Sequence, residues 1–383
     1  MVKEVLKMNL WTVLIIILVF WGILYALFGR KEEDEEEGLA VDIFVIMWRT
    51  KKLLGFIDKV AQKYKRFWKA YGTIGIIVGF GGMAFVFYML IKSALIAIKA
   101  KAQVAGVQLV IPGVTVPLSY GLIGLIVVLV VHELSHGVVA RAEDLPLKSV
   151  GLVLFFVIPG AFVEPDEEEL KKVPLLKRLR VYAAGSMANI VTALLALMLL
   201  NYALSPVLQP AGVEIVQFDP KGPAINYLHE GDIIIGIDGH QIKTVEDFLN
   251  FMNTTKPGQL ITLEVLRNDE KITVKIPLRE NPNNPGRGYL GVYPSQHIVS
   301  TIGHEGIVLP LAFSLYWIYI LNLGIGLMNL FPLIPLDGGR MLDETLKEYL
   351  PEKVAKPISF AFIGIGVLLL AINLIPAIRN LIG

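Results

Sequence analysis

The chain has 383 residues, 54% of them hydrophobic and 18% charged, with a mean hydropathy of +0.61; soluble domains carry about 25% charged residues, so a soluble enzyme is excluded. A formal net charge of +1 excludes a nucleic-acid binder that works through a concentrated cationic face. With 0 cysteines, disulfides, thiolate metal sites and cysteine nucleophiles are ruled out, and any metal must be held by nitrogen and oxygen ligands.

Apolar runs of about 20 residues mark membrane spans. The first covers residues 10–29. Lys3 and Lys7 precede it, as in a signal peptide, but the run is too long and no small-residue cleavage site stands before Arg30 and Lys31. A retained span is expected. Residues 30–71 are polar and open with the acidic run Glu32 to Glu37, expected to be a solvated linker. From Ile43 to Trp68 apolar side chains mix with Lys and Arg in a helical rhythm, which predicts an amphipathic helix on the membrane surface. The second span, 73–98, is glycine-rich at Gly75, Gly79, Gly81 and Gly82.

The third span, 118–140, ends in His132-Glu133-Leu134-Ser135-His136. Histidines four apart stand one turn apart on the same helix face and can share a Zn²⁺ ion, with Glu133 beside them to take a proton from activated water. Ionisable groups inside a membrane helix are costly and functional by default. Residues 148–165 are too short, and too broken by Gly151, Pro159 and Gly160, to form a span; their β-branched content suits strands, and a plain loop is the alternative. The fourth span, 181–203, carries Ala183, Ala184, Gly185, Ser186 and Ala188, a small face that lets helices approach closely.

Residues 211–293 are soluble in character, with strands at 211–218 and within 230–241, a helix at 244–253, and a hairpin at 260–278 around Asn268-Asp269. The fifth span, 307–334, runs into Pro335-Leu336-Asp337-Gly338-Gly339, and the sixth covers 354–378.

Lys and Arg mark the cytoplasmic side. Ten of them lie in 30–71, from Arg30 to Lys69, against Lys3 and Lys7 ahead of the first span. That loop is expected inside, with 141–180 also inside, and 205–305 and the C-terminus outside. On this topology Asp337 arrives at the depth of His132 and His136 and is the favoured third ligand, with helix capping as its alternative. His229, His240, His297 and His304 are candidates by type but fall on the outer side. The loop carboxylates Glu164, Asp166 and Glu167 keep open a second enzyme reading, a membrane-anchored metalloprotease with its zinc at the cytosolic face. A non-catalytic membrane adaptor is the third reading, against which an intact Glu133 argues.

His132 to His136, followed by Leu336-Asp337-Gly338 in a later span, resembles the site-2 proteases, intramembrane zinc metalloproteases. The chain departs from the family's Asn-Pro-Asp-Gly form by reading Pro-Leu-Asp-Gly at 335–338, with the Asp intact. The resemblance implies one Zn²⁺ per chain on His132, His136 and Asp337, Glu133 as general base, and Asn329 contacting the oxyanion or orienting substrate; an interhelical hydrogen bond is the alternative for Asn329. It implies that 148–165 is a membrane-associated β segment that pairs with unwound substrate. The substrates implied are transmembrane proteins already cut by another protease, with the lipid bilayer as the other partner and no nucleic acid. Gly222-Pro223-Ala224, Glu230-Gly231-Asp232 and Ile237-Asp238-Gly239 resemble a PDZ domain, with Gly212, Val213 and Ile215 lining a peptide groove; a purely architectural cap is the alternative.

The expected architecture is thus a polytopic α-helical membrane protein of about six spans with an inserted extracytoplasmic α+β PDZ-like domain. Its segments are 1–71 (first span, acidic run, amphipathic segment), 72–204 (first part of the core), 205–300 (PDZ-like) and 301–383 (second part of the core). The implied location is the cell membrane, with the active site near the cytoplasmic side.

Overall fold

A computed structural model describes residues 10–29, 37–99, 107–155 and 158–382. Of the acidic run, Glu32 to Glu36 lie outside the described residues. The chain divides into two units, Met1–Leu197 with Ser314–Gly383, and Met198–Phe313.

The first unit opens with α1 (Leu10–Phe28), apolar along its length. A hairpin follows, β1 (Gly38–Asp42) and β2 (Val45–Thr50), then α2 (Leu54–Lys63) and α3 (Lys65–Lys99). The helix predicted over 43–68 is therefore strand up to Thr50 and breaks again at Tyr64. Val45, Ile46 and Trp48 favour a pleated surface, and Phe44 takes a positive φ of 62° at the turn. What decides the matter is distant. Val45 to Thr50 pair antiparallel with Phe155 to Val150, a partner that local helical rhythm does not reveal.

Next come α4 (Leu118–Ala142), β3 (Leu147–Phe155), β4 (Ile158–Pro165), α5 (Glu167–Lys172) and α6 (Leu175–Met198). The four strands form one antiparallel sheet in the order β1-β2-β3-β4, so β4 is an edge. The sheet packs on α2 and α4 through Ile57, Ala61, Val138, Ala142, Val150 and Val163. Gly137 sits where β4 lies against α4; a Cβ there would stand 2.9 Å from Val163 Cγ1. The end of α4 is tied to α3 and α6 by Glu143, whose side chain is fully buried and meets Arg180 at 2.7 Å, Lys69 at 3.5 Å and Lys177 at 3.8 Å.

The second unit begins with a π-helical turn, Leu199–Leu204, and a 3-10 turn, Ser205–Val207. It continues through β5 (Leu208–Phe218), β6 (Ile233–Ile237), β7 (His240–Gln241), α7 (Val245–Met252), β8 (Leu260–Arg267), β9 (Glu270–Pro277), β10 (Arg279–Glu280), β11 (Gly288–Tyr289) and β12 (Val292–Ser300). The main sheet runs β12-β5-β6-β8-β9, with β7 paired to β6. Its core includes Val213, Ile215, Ile234, Phe248, Ile261 and Leu263. Thr244 and Asp247 close a capping box at the start of α7, satisfying backbone donors that a helix start leaves open.

Three helices complete the chain: α8 (Glu305–Asn329), α9 (Asp337–Tyr349) and α10 (Glu352–Ile382). The fifth predicted span, 307–334, stops being helical at Asn329. Pro332 and Pro335 supply no N–H and clash with the preceding turn, so the chain reverses and restarts at Asp337. Among the described residues five helices are long and apolar enough to cross a membrane: α3, α4, α6 with the turns that follow it, α8 and α10.

Candidate metal centre

Four elements of the first unit converge on the His-Glu-x-x-His turn of α4. The Nε2 atoms of His132 and His136 lie 3.1 Å apart. Asp337 Oδ2 is 3.3 Å from the first and 3.4 Å from the second. All three side chains are roughly nine-tenths buried. Among the described residues these form the only group of three or more His, Asp or Glu side chains able to share a metal ion. A tetrahedral ion with bonds of about 2.0–2.1 Å needs donor atoms roughly 3.3 Å apart, which is the size of this triangle. The donor set, two imidazoles and a carboxylate with a fourth position left over, suits zinc at a catalytic site.

The space beside the triangle is kept by Gly185 of α6. A Cβ at this position would lie 2.7 Å from His132 Nε2, and closer still to His136 Nε2. The same helix supplies the groups behind the donors. His136 Nδ1 lies 2.7 Å from the carbonyl oxygen of Val181, so its proton sits on Nδ1 and the Nε2 lone pair faces the centre. Ser186 Oγ donates to Asp337 Oδ2 at 3.2 Å, and Asn189 Nδ2 lies 3.1 Å from His132 Nδ1. Ser186 and Asn189 are completely buried. Residues 181, 185, 186 and 189 recur at the spacing of one helix face, so one side of α6 backs the whole triangle. Sequence reasoning read this stretch only as a small-residue packing face. The signal within it was polar: Ser186 and Asn189 stand three apart in a mostly apolar span, where such groups are expensive.

Glu133 points to the sheet. Its Oε2 accepts from the N–H of Val163 in β4 at 3.0 Å. Glu133, Asn329, the three donor residues and part of β4 line one cleft of about 750 Å³. The outward amide of Val163 fixes the alternation along this edge: positions 159, 161, 163 and 165 face away from β3. Pro159 and Pro165 have no N–H, and that of Val163 is bonded to Glu133, so of these four positions Ala161 alone keeps an N–H open to the edge.

Of the three loop carboxylates, Glu164 and Glu167 line the same cleft, and two serve a neighbouring side chain or the backbone. Glu164 Oε2 accepts from Ser149 Oγ, and Asp166 caps α5 by accepting from the N–H groups of Glu168 and Glu169. In the second unit Gly212, Val213 and Ile215 lie on β5, which is paired with β12 on one side and β6 on the other. Val213 and Ile215 have zero exposure. A groove at these residues is corrected by that pairing, because an interior strand has no open edge to offer a peptide. A cleft of about 170 Å³ lies elsewhere in this unit, between α7 and residues 288–292, with Phe248, Leu249, Met252, Leu290 and Val292 in its lining.

Comparison with known proteins agrees with the centre. An uncharacterized protein of Methanocaldococcus jannaschii is 31% identical over 344 residues, covering 88% of this chain and 86% of the relative. A membrane-bound transcription factor site-2 protease homolog of Arabidopsis thaliana is 27% identical over 204 residues, 50% of this chain and 39% of that protein. The zinc metalloprotease RasP of Geobacillus kaustophilus is 24% identical over 242 residues, 49% of this chain and 56% of that protein. Among solved structures, the PDZ domain of an SdrC-like protein from Listeria innocua aligns with 22% of this chain and 96% of its own, at 24% identity and a TM-score of 0.21. The model of peptidase family M50 matches residues 120–372, a stretch that begins on α4 ahead of His132 and ends on α10 beyond Asp337. This chain belongs to peptidase family M50, the site-2 proteases.

Proposed function

We propose that the protein is a zinc-dependent endopeptidase that cuts peptide bonds within the membrane-spanning segments of other proteins. The observation that carries this reading is the donor triangle of His132, His136 and Asp337, built on the end of a membrane-length helix with Glu133 in the same cleft. Zinc, when bound there, polarises the scissile carbonyl and makes water a usable nucleophile near neutral pH.

The remaining work falls to the chain's own side chains. Glu133 takes the proton of the attacking water and returns it to the departing amine nitrogen. Asn329, at the end of α8 and on the wall of the cleft, donates its amide N–H to the carbonyl oxygen as charge gathers there. The outward N–H and carbonyl of Ala161 on the edge of β4 offer one short register for an extended substrate segment, by strand addition. A helix hides its carbonyls in its own hydrogen bonds, so a substrate must unwind before it can pair. Beside this edge an apolar groove of about 380 Å³, lined by Ile46, Trp48, Ile126, Leu152 and Ala161 among others, suits the side chains of a membrane segment. The positive charge in 30–71 and 141–180 supports a site facing the cytoplasmic leaflet, with the inserted unit on the other side. Substrates shortened beforehand by another protease are part of the same proposal.

The test is metal content. Purified wild-type protein is expected to hold one zinc per chain, and Asp337→Ala to hold clearly less under the same dialysis. Full zinc occupancy in Asp337→Ala would remove that residue from the ligand set, and a wild type that binds no zinc would end the reading.

A further inference from the structure

Asn189 is completely buried on α6, and its Oδ1 has no hydrogen-bond partner. Its Nδ2 faces His132 Nδ1 at 3.1 Å. With the amide this way round, Nδ1 must accept, and the imidazole proton is forced onto Nε2. That atom stands 3.3 Å from Asp337 Oδ2 and 3.1 Å from His136 Nε2, where a ligand needs a lone pair. His136 has already solved the same problem through the Val181 carbonyl. The two ends of an amide are nearly isosteric, and their assignment follows from the hydrogen bonds they make. Turning this amide forfeits no bond at Oδ1, which has none to lose.

We propose that Asn189 is the positioning residue of His132, with Oδ1 accepting from Nδ1–H and thereby holding the Nε2 lone pair on the metal position. The two histidines are then held by matching acceptors from one helix, a side-chain amide for His132 and a backbone carbonyl for His136. α8 closes over Asn189 from the other side. A Cβ on Gly326 would come within 2.8 Å of Asn189 Cβ, so the amide side chain is confined as well as buried.

The proposal rests on the metal-site reading above, and the experiment separates the two. Full-length wild type, Asn189→Asp, Asn189→Leu and Asn189→Ala are purified in detergent, and Zn²⁺ affinity is measured by competition with a chromophoric chelator. Losing the partner behind a metal-binding histidine costs about 10–100-fold in affinity. That loss is expected for Asn189→Leu and Asn189→Ala, while Asn189→Asp keeps an oxygen acceptor and stays near wild type. If Asn189→Leu does not fold, Asn189→Ala, which removes the amide without a branched replacement, carries the comparison. Truncated variants that bind zinc like wild type overturn the proposal, as does an Asn189→Asp variant that falls as far as they do, since a role in packing alone would not spare it. Wild type that binds no zinc overturns the metal-site reading instead.

Discussion

A methyl group added to Gly185 would press on both facing imidazole nitrogens at once, 2.7 Å from His132 Nε2 and nearer to His136 Nε2. Neither imidazole can retreat freely, because Val181 and Asn189 hold their far sides. Overpacking of this kind costs about 1–3 kcal/mol. Gly185→Ala is therefore expected to weaken zinc binding by roughly that amount while leaving the helical content unchanged, as read by chelator competition beside circular dichroism; undiminished affinity would show that the gap beside the triangle has no role. His132, Glu133 and His136 were legible in the sequence because their spacing on a helix is itself the chemical requirement. Asp337 was favoured in the sequence by an expected match in depth, and the structure brings its carboxylate to 3.3 and 3.4 Å from the two imidazoles. Asn189 was not, because a single Asn in a small-residue helix reads equally well as an interhelical bond, and only the position of His132 Nδ1 distinguishes the two.

At the level of elements, the helices could be read in advance and the sheet only in part. A run of 20 apolar residues carries its meaning locally. The pairing of β2 with β3 joins residues about 100 apart in sequence, and nothing near Val45 announces it. Strand content was legible in 148–165, yet β2, which extends that sheet, was read as the start of a helix because apolar side chains mix with Lys and Arg from Ile43 to Trp68. The elements are locked together at Glu143, which joins the end of α4 to Lys69 of α3 and to Lys177 and Arg180 of α6. Removing Glu143 leaves Arg180 largely buried without its carboxylate, while Lys69 and Lys177 are a third exposed and can turn to solvent, so the cost falls below the roughly 3–5 kcal/mol of a fully buried pair. Glu143→Ala is expected to lower the unfolding temperature of the detergent-solubilised protein markedly, whereas Lys171→Ala, whose exposed partner is Glu168, leaves it nearly unchanged. Equal melting temperatures for the two variants would contradict this account.

For the whole molecule, composition and function come into agreement once the apolar excess is assigned. Among the described residues it belongs to the five membrane-length helices and the apolar α1, while the strands and α7 between Leu208 and Ser300 close on an apolar core of their own. That unit has its own acid sensitivity. Asp232 is buried, which pushes its carboxyl up, but the two bonds from Arg267 at 2.7 and 2.8 Å and one from the His229 N–H at 2.9 Å outweigh burial. The net direction is below the ordinary carboxylate range. A carboxylate lowered on folding stabilises the fold above its unfolded pKa, and that contribution is lost as pH falls through the folded value. Hydrogen exchange in peptides from 208–300, corrected for intrinsic rates, is expected to speed up as pH falls below about 4, the ordinary Asp range. Asp232→Asn is expected to exchange faster at neutral pH and to change less across the acid window; identical pH profiles would contradict the assignment. The inserted unit also shows a limit of reading motifs. Its turn glycines and strands were visible in sequence, but which strand lies at the interior of the sheet was not, and Val213 and Ile215 proved to be core.

The central claim, that Glu133 drives hydrolysis at a metal held by His132, His136 and Asp337, is tested most directly by one measurement. Wild type and Glu133→Gln, matched for zinc content, are incubated in detergent with a model transmembrane substrate, and the products are mapped by mass spectrometry. Loss of a general base typically costs about 10²–10⁴-fold in rate. The account predicts zinc-dependent cuts within the apolar segment for wild type and none detectable for Glu133→Gln. Cleavage by Glu133→Gln at the wild-type rate, with the same products, would contradict it.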